Sequence, residues 1–210
     1  MPEELYRKVH IFPKSIPKAL FLYAQHLGND SHTLPDGATT TKYALLRRPL
    51  AASTWEALDY ETKNVTDTTE AVQIDRRFVF ADSLLDTLVV EGTAYAACRV
   101  GAKGDGTYNT YISQVQFDLE TVDENNTYTS IVSKTIDFAT LKAVSSTSYD
   151  TIDVHALLNL PESKIYTSRN LVLRLRISGY VDADQTAGAI RLYYTVGSSD
   201  TYVELPVVEA

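Results

Sequence analysis

Alternation of apolar and polar residues is the main signal in this chain. In "RNLVLRLRISGY" (Arg169 to Tyr180), Leu171, Leu173, Leu175 and Ile177 fall on one side of a period of two. Val172, Arg174, Arg176 and Ser178 fall on the other. Successive side chains of a strand point to opposite faces, so the pattern predicts a strand with its leucine side in a core. "GAIRLYYTV" repeats it, with Ile190, Leu192, Tyr194 and Val196 opposite Arg191, Tyr193 and Thr195, and "TYVELPVV" turns Val203, Leu205 and Val207 inward. In "YISQVQFDLETV", Val115, Phe117 and Leu119 point in, and Gln114, Gln116 and Asp118 point out. In "GTAYAACRVGAK", Ala94, Ala96, Cys98 and Val100 share one side. That small-residue stripe suits close packing and makes Cys98 an expected core thiol.

Other segments read less clearly. "TYTSIVSKTIDF" mixes apolar and hydroxyl groups on both sides. "TIDVHALLNLPESKIYTS" is ambiguous, with room for a short strand through Ile152 and Val154 and a half-turn of helix before Pro161. Turn sequences ("GAKGDGTYNT", "DENN", "DADQTAG", "GSSD") punctuate the strands, which predicts a sandwich or barrel over residues 71–210. Residues 1–70 differ. "PKALFLYAQHL" and "KYALLRRPLAAS" are short apolar runs among long polar loops. They suggest an extended N-terminal arm with one or two peripheral strands. Its isolated apolar groups (Leu20 to Tyr23, Leu45, Leu46, Leu50, Trp55) would then be covered by other chains. On that expectation, removing residues 1–69 leaves a folded sandwich that no longer assembles.

Composition narrows the classes. The chain has 210 residues, 44% hydrophobic and 22% charged, enough for one large domain. A net charge of -8 argues against a nucleic-acid binder, which would be basic. No apolar run approaches the roughly 20 residues of a helical membrane span. The opening "MPEELYRKVHIFPK" places charges and a proline where a secretion signal needs an apolar run. With one cysteine, no disulfide forms within the chain.

No catalytic, cofactor-binding or metal site follows from the sequence. His10, His26, His32 and His155 are scattered, and no HExxH or CxxC pattern exists. Asp153 and His155, two apart, could form half of a hydrolase relay, but no G-x-S-x-G elbow accompanies them. The glycines 101, 104 and 106 lack the G-K-[ST] of a phosphate loop. "GDG", "DENN" and "DAD" have calcium-ligand composition without EF-hand spacing, and turn chemistry explains them equally well. If the last three strands are neighbours, Arg174, Arg176, Arg191, Tyr193 and Tyr202 gather on one outer face. Arg and Tyr are enriched at protein interfaces.

"KALFLYAQHL", a loop and "KYALLRRP", then "RRFVFADSLLDTLVVEGTAYAACRV", "LPESKIYTSRNLVLRLRISGY" and "GAIRLYYTVGSSDTYVELPV", taken in order, resemble small structural proteins of tailed viruses. The resemblance implies an all-β fold: an antiparallel, jelly-roll-like β-sandwich with an N-terminal arm. It implies a non-enzymatic virion structural protein located in the virion, as capsid decoration, cement, or neck or tail accessory. Its expected partners are other virion proteins and copies of itself, a homotrimer among the options, without nucleic acid or membrane. The alternative is a carbohydrate-binding β-sandwich, favoured if Tyr180, Tyr193 and Tyr202 form an exposed groove.

Overall fold

The computed structural model describes residues 18–26, 43–46, 60–80, 88–143, 147–165, 169–182, 188–194 and 201–208. Among these there is no helix. Eleven strands run in chain order: β1 (Lys18–His26), β2 (Tyr43–Leu46), β3 (Tyr60–Val65), β4 (Ala71–Phe80), β5 (Leu88–Lys103), β6 (Thr110–Asp123), β7 (Tyr128–Ala143), β8 (Asp150–Ile165), β9 (Arg169–Val181), β10 (Gly188–Tyr193) and β11 (Tyr202–Val208). The fold is all-β and mostly antiparallel, a β-sandwich as expected.

Hydrogen-bonded neighbours follow the order β3-β10-β5-β11-β1-β2-β4-β9-β6-β7, with β8 on the other side of β5. The long sheet folds over itself into two leaves. The first holds β8, β5, β10, β3, β11, β1 and β2, and the second holds β4, β9, β6 and β7. The one parallel pairing among the described residues, Ala44 with Val79 and Leu45 with Phe80, joins them. Between the leaves lies a continuous core that includes Leu22, Leu45, Phe78, Val100, Phe117, Leu175, Leu192 and Leu205, all fully buried. The inward sides assigned by alternation in β5, β6, β9, β10 and β11 are the buried sides, with Val207 only partly buried and Val196 outside the described residues. Cys98 is buried in that core, and loss of hydration pushes its thiol well above the ordinary range. The leaves approach closely at Gly179 of β9, where an added Cβ would lie 2.5 Å from Cδ1 of Ile190 on β10.

Two sequence readings change. β8 is one long strand that runs through Pro161, with no half-turn of helix. The proline is tolerated because the β5–β8 register shifts there, between Val90 and Gly92. Pro206 lies at the register shift on the opposite flank of β5. Gly92, with φ of 108°, supplies the backbone bend that both irregularities share. The second change concerns residues 18–65. β1 pairs with β11 along Lys18 to Tyr23 and with β2 beyond, so it is interior to the sheet, while β3 is an edge strand on β10. Leu22, Ala24, Leu45 and Val65 are buried against their own chain, where an arm reading expected contact with other chains. Trp55, Leu50, His10 and His32 lie outside the described residues.

A polar cluster ties the leaves together where β3 faces β4. Glu61 accepts both Nε (2.9 Å) and Nη2 of Arg76, and the hydroxyls of Tyr194 (2.6 Å) and Tyr43 (3.3 Å). Burial first, and then the Glu61 charge, push the Tyr194 phenol far above its ordinary range. Nearly every polar atom here has a partner, as a low-dielectric site requires.

Candidate functional site

The outer faces of the two leaves differ in chemistry, and that difference locates the candidate site. On the second leaf, Arg174 donates to Asp75 at 2.8 and 2.6 Å and lies 3.8 Å from Glu120. Arg77 reaches Glu120 at 2.8 Å, and Arg176 reaches Asp118 at 3.0 Å. Asp118 and Glu120 keep only 4% and 6% exposure, and each is paired with arginine there, Asp118 with Arg176 and Glu120 with Arg77 and Arg174. Val172 packs with Val79, Val122 and partly buried Tyr128 in a small apolar cluster on the same face. Arg174 and Arg176 of β9 are therefore neutralised by neighbouring strands, and the described residues of this face offer little unpaired charge to a partner.

Arg174 holds the Asp75 carboxyl below the ordinary aspartate range, chiefly through its hydrogen bonds. The folded value is the lower one, so this stabilisation is present above the unfolded value and is lost as pH falls below about 4. Asp75→Asn should cost about 0.2–1 kcal/mol at pH 7, the range of exposed pairs. The cost should shrink as pH falls from 7 to 3, read from urea midpoints at the two pH values. An equal loss at both would show that the charge plays no part.

The first leaf carries an aromatic outer face. Pairing across β3, β10, β5 and β8 sets Tyr60, Tyr193, Arg99 and Asp153 in one row. Across β1, β11, β5 and β8 it sets Tyr23, Tyr202, Ala97 and His155 in the next, and Phe21, Glu204, Tyr95 and Leu157 beyond. The Tyr202 ring centroid lies 6.4 Å from Phe21, 6.1 Å from Tyr23 and 5.9 Å from Tyr95. Tyr95 stacks on His155 at 5.6 Å. Phe21 (41% exposed), Tyr60 (43%) and Leu157 (62%) stand in solvent. Aromatic and aliphatic groups packed side by side on one exposed face mark an interaction surface.

Asp153 and His155 share this face but do not form a relay. Both oxygens of Asp153 accept from Arg99, at 2.6 and 2.9 Å, and those hydrogen bonds hold its carboxyl below the ordinary range. His155 meets the Tyr95 hydroxyl through Nδ1. The cluster expected of Arg174, Arg176, Arg191, Tyr193 and Tyr202 divides. β9 sits in the second leaf, while β10 and β11 flank β5 in the first and do not pair with each other. Tyr180 stacks on Tyr111 at 4.6 Å in the second leaf, so it forms no groove with Tyr193 and Tyr202. Two of the acidic turns are self-satisfied, and residues 183–184 of the third lie outside the described residues. Asp105 Oδ1 accepts from the backbone of Thr107 and Tyr108, and Asp123 Oδ1 from Asn125 and Thr127. Among the described residues, no three His, Cys, Asp or Glu side chains are placed to hold a metal ion.

No family model and no curated protein matches the chain. Solved structures do match its fold. A CocE/NonD-family hydrolase from Staphylococcus aureus superposes with a TM-score of 0.57 at 11% identity, covering 94% of this chain and 38% of that one. An α-amino acid ester hydrolase superposes with a TM-score of 0.58 at 13% identity, covering 92% of this chain and 36% of that one. This chain thus spans less than two fifths of those hydrolases, and the likeness is one of fold. The matches correct the expectation of a non-enzymatic virion structural protein: the sandwich is that of a portion of hydrolase chains. A chain of infectious bursal disease virus matches only at a TM-score of 0.26, too low to support the viral resemblance.

Proposed function

We propose that this chain works in ester hydrolysis as the β-sandwich module of a hydrolase, seating its aromatic face against a catalytic unit that supplies the nucleophile and base. The exposed aromatic face of the first leaf carries the reading. Phe21, Tyr23, Tyr95, Leu157 and Tyr202 form a patch with the composition of a contact surface, while the opposite leaf neutralises its own charges. Two supports stand beside it. The fold is found as part of larger hydrolase chains, one of them an α-amino acid ester hydrolase. Asp153 and His155, the pair that could have begun a relay, are turned to Arg99 and Tyr95.

Leu157→Glu and Phe21→Glu test this, since both side chains are exposed enough for the fold to survive. The native protein, immobilised in an extract of the cells that make it, should retain activity on a chromogenic amino-acid ester. The double variant should retain about tenfold less, because a charge must be desolvated at the contact. The isolated chain should show only background turnover. Equal retention by the double variant would reject the face. Turnover by the isolated chain that disappears in Asp153→Asn would instead place the chemistry within it.

A further inference from the structure

At the β3 end of the aromatic face, Arg191 is held differently from its peers. Its Cζ sits 3.6 Å from the centroid of the Tyr60 ring and 3.8 Å from that of Tyr149, with Tyr193 at 5.7 Å. Nε donates to Thr62 Oγ1 at 3.0 Å. Lys103 Nζ lies 5.5 Å from the same Tyr149 ring, so two cations share it. Five other arginines with described side chains (Arg76, Arg77, Arg99, Arg174 and Arg176) each hold a carboxylate. Among the described residues Arg191 has none, in a chain of net charge -8. Asp150, next to Tyr149, is exposed, and no ion pair among the described residues joins it to Arg191 or Lys103.

From this we infer that Arg191 is a carboxylate-binding anchor, placed to take an Asp or Glu side chain of the docked catalytic unit. Rings close to the guanidinium plane leave its N–H edge as the polar approach. Thr62 occupies Nε, so the donors on the two terminal nitrogens are left for a ligand. A planar carboxylate matches that fork with two parallel hydrogen bonds. Stacking fixes the fork beforehand, so little side-chain entropy is lost when the anion arrives. Lys103 adds positive potential at the same corner. The apolar flank of Tyr60 and Tyr193 favours a carboxylate carried on an apolar stem over a bare ion.

The inference rests on the face being a contact surface, but its test needs no catalytic partner. The probe is 3-phenylpropionate, followed through the Arg191 Nε–H resonance and the tyrosine ring shifts of the intact protein. Saturable shifts at millimolar probe are expected. Arg191→Gln should weaken binding about tenfold or more, and Arg191→Lys should restore only part, because an ammonium keeps the charge but not the fork. Neutral 3-phenylpropionamide should bind weakly. Equal binding of the amide, or unchanged binding in Arg191→Gln, would overturn the anchor. Inorganic phosphate binding more tightly than the carboxylate would overturn the assignment to a protein side chain. Failure of the probe leaves docking through Leu157 and Phe21 standing, whereas failure of that docking with a working probe site removes the contact reading instead.

Discussion

A chain lacking residues 1–46 should lose its cooperative unfolding transition and most of its β-sheet signal. β1 lies between β11 and β2, and β2 provides the parallel seam to β4. Removing both strips the backbone ladder from β11 and separates the leaves at their junction. It also removes Leu22 and Leu45, both fully buried. Truncating two such leucines costs roughly 4–10 kcal/mol, against a total stability of about 5–15 kcal/mol for a domain. The ladder and Tyr43 are lost as well. Circular dichroism and a urea titration of the truncated protein provide the check. A cooperative, sheet-rich fragment would restore the arm reading and show that the other strands close a sandwich unaided.

Phe78→Ala should be the most damaging single truncation, costing about 3–5 kcal/mol and lowering the urea midpoint without abolishing the fold. Phe78 is fully buried on β4, next to the seam. Its ring meets Tyr43 of β2 edge-on at 5.7 Å and Tyr194, just past the end of β10, at 5.9 Å. Tyr43 and Tyr194 also donate to Glu61, so the cavity would open beside the Glu61–Arg76 pair and loosen two hydroxyls that satisfy it. Leu175→Ala, equally buried on β9 as the strand partner of Arg76, should cost about 2–5 kcal/mol. A Phe78→Ala loss below that of Leu175→Ala would mean that the Phe78 ring adds nothing to the cluster beyond its own volume.

The period of two reveals a strand and its buried side wherever one face meets water and the other a core. Leu171 to Ile177 and Val115 to Leu119 satisfy that condition, and both were legible. The pattern misses Val172, because the outer face of the second leaf has its own apolar cluster. It also misses the burial of Asp118 and Glu120, because their arginine partners come from neighbouring strands. Pro161 looked like a terminator because proline lacks an N–H, but a register shift beside Gly92 removes that demand.

Local sequence by itself determined that the chain is all-β, which side of each clear strand is dry, and that Cys98 lies in the core. Those properties depend only on alternation and side-chain size, which act within a few residues. Only the tertiary structure decided that β9 is separated from β10 and β11, that β1 is interior, and that Phe21, Tyr95, Leu157 and Tyr202 share one face. Strands are joined by backbone hydrogen bonds that are the same for every residue and so select no partner. The choice is made by the summed packing of the whole core, so Tyr95 and Tyr202, more than a hundred positions apart, meet without a local signal.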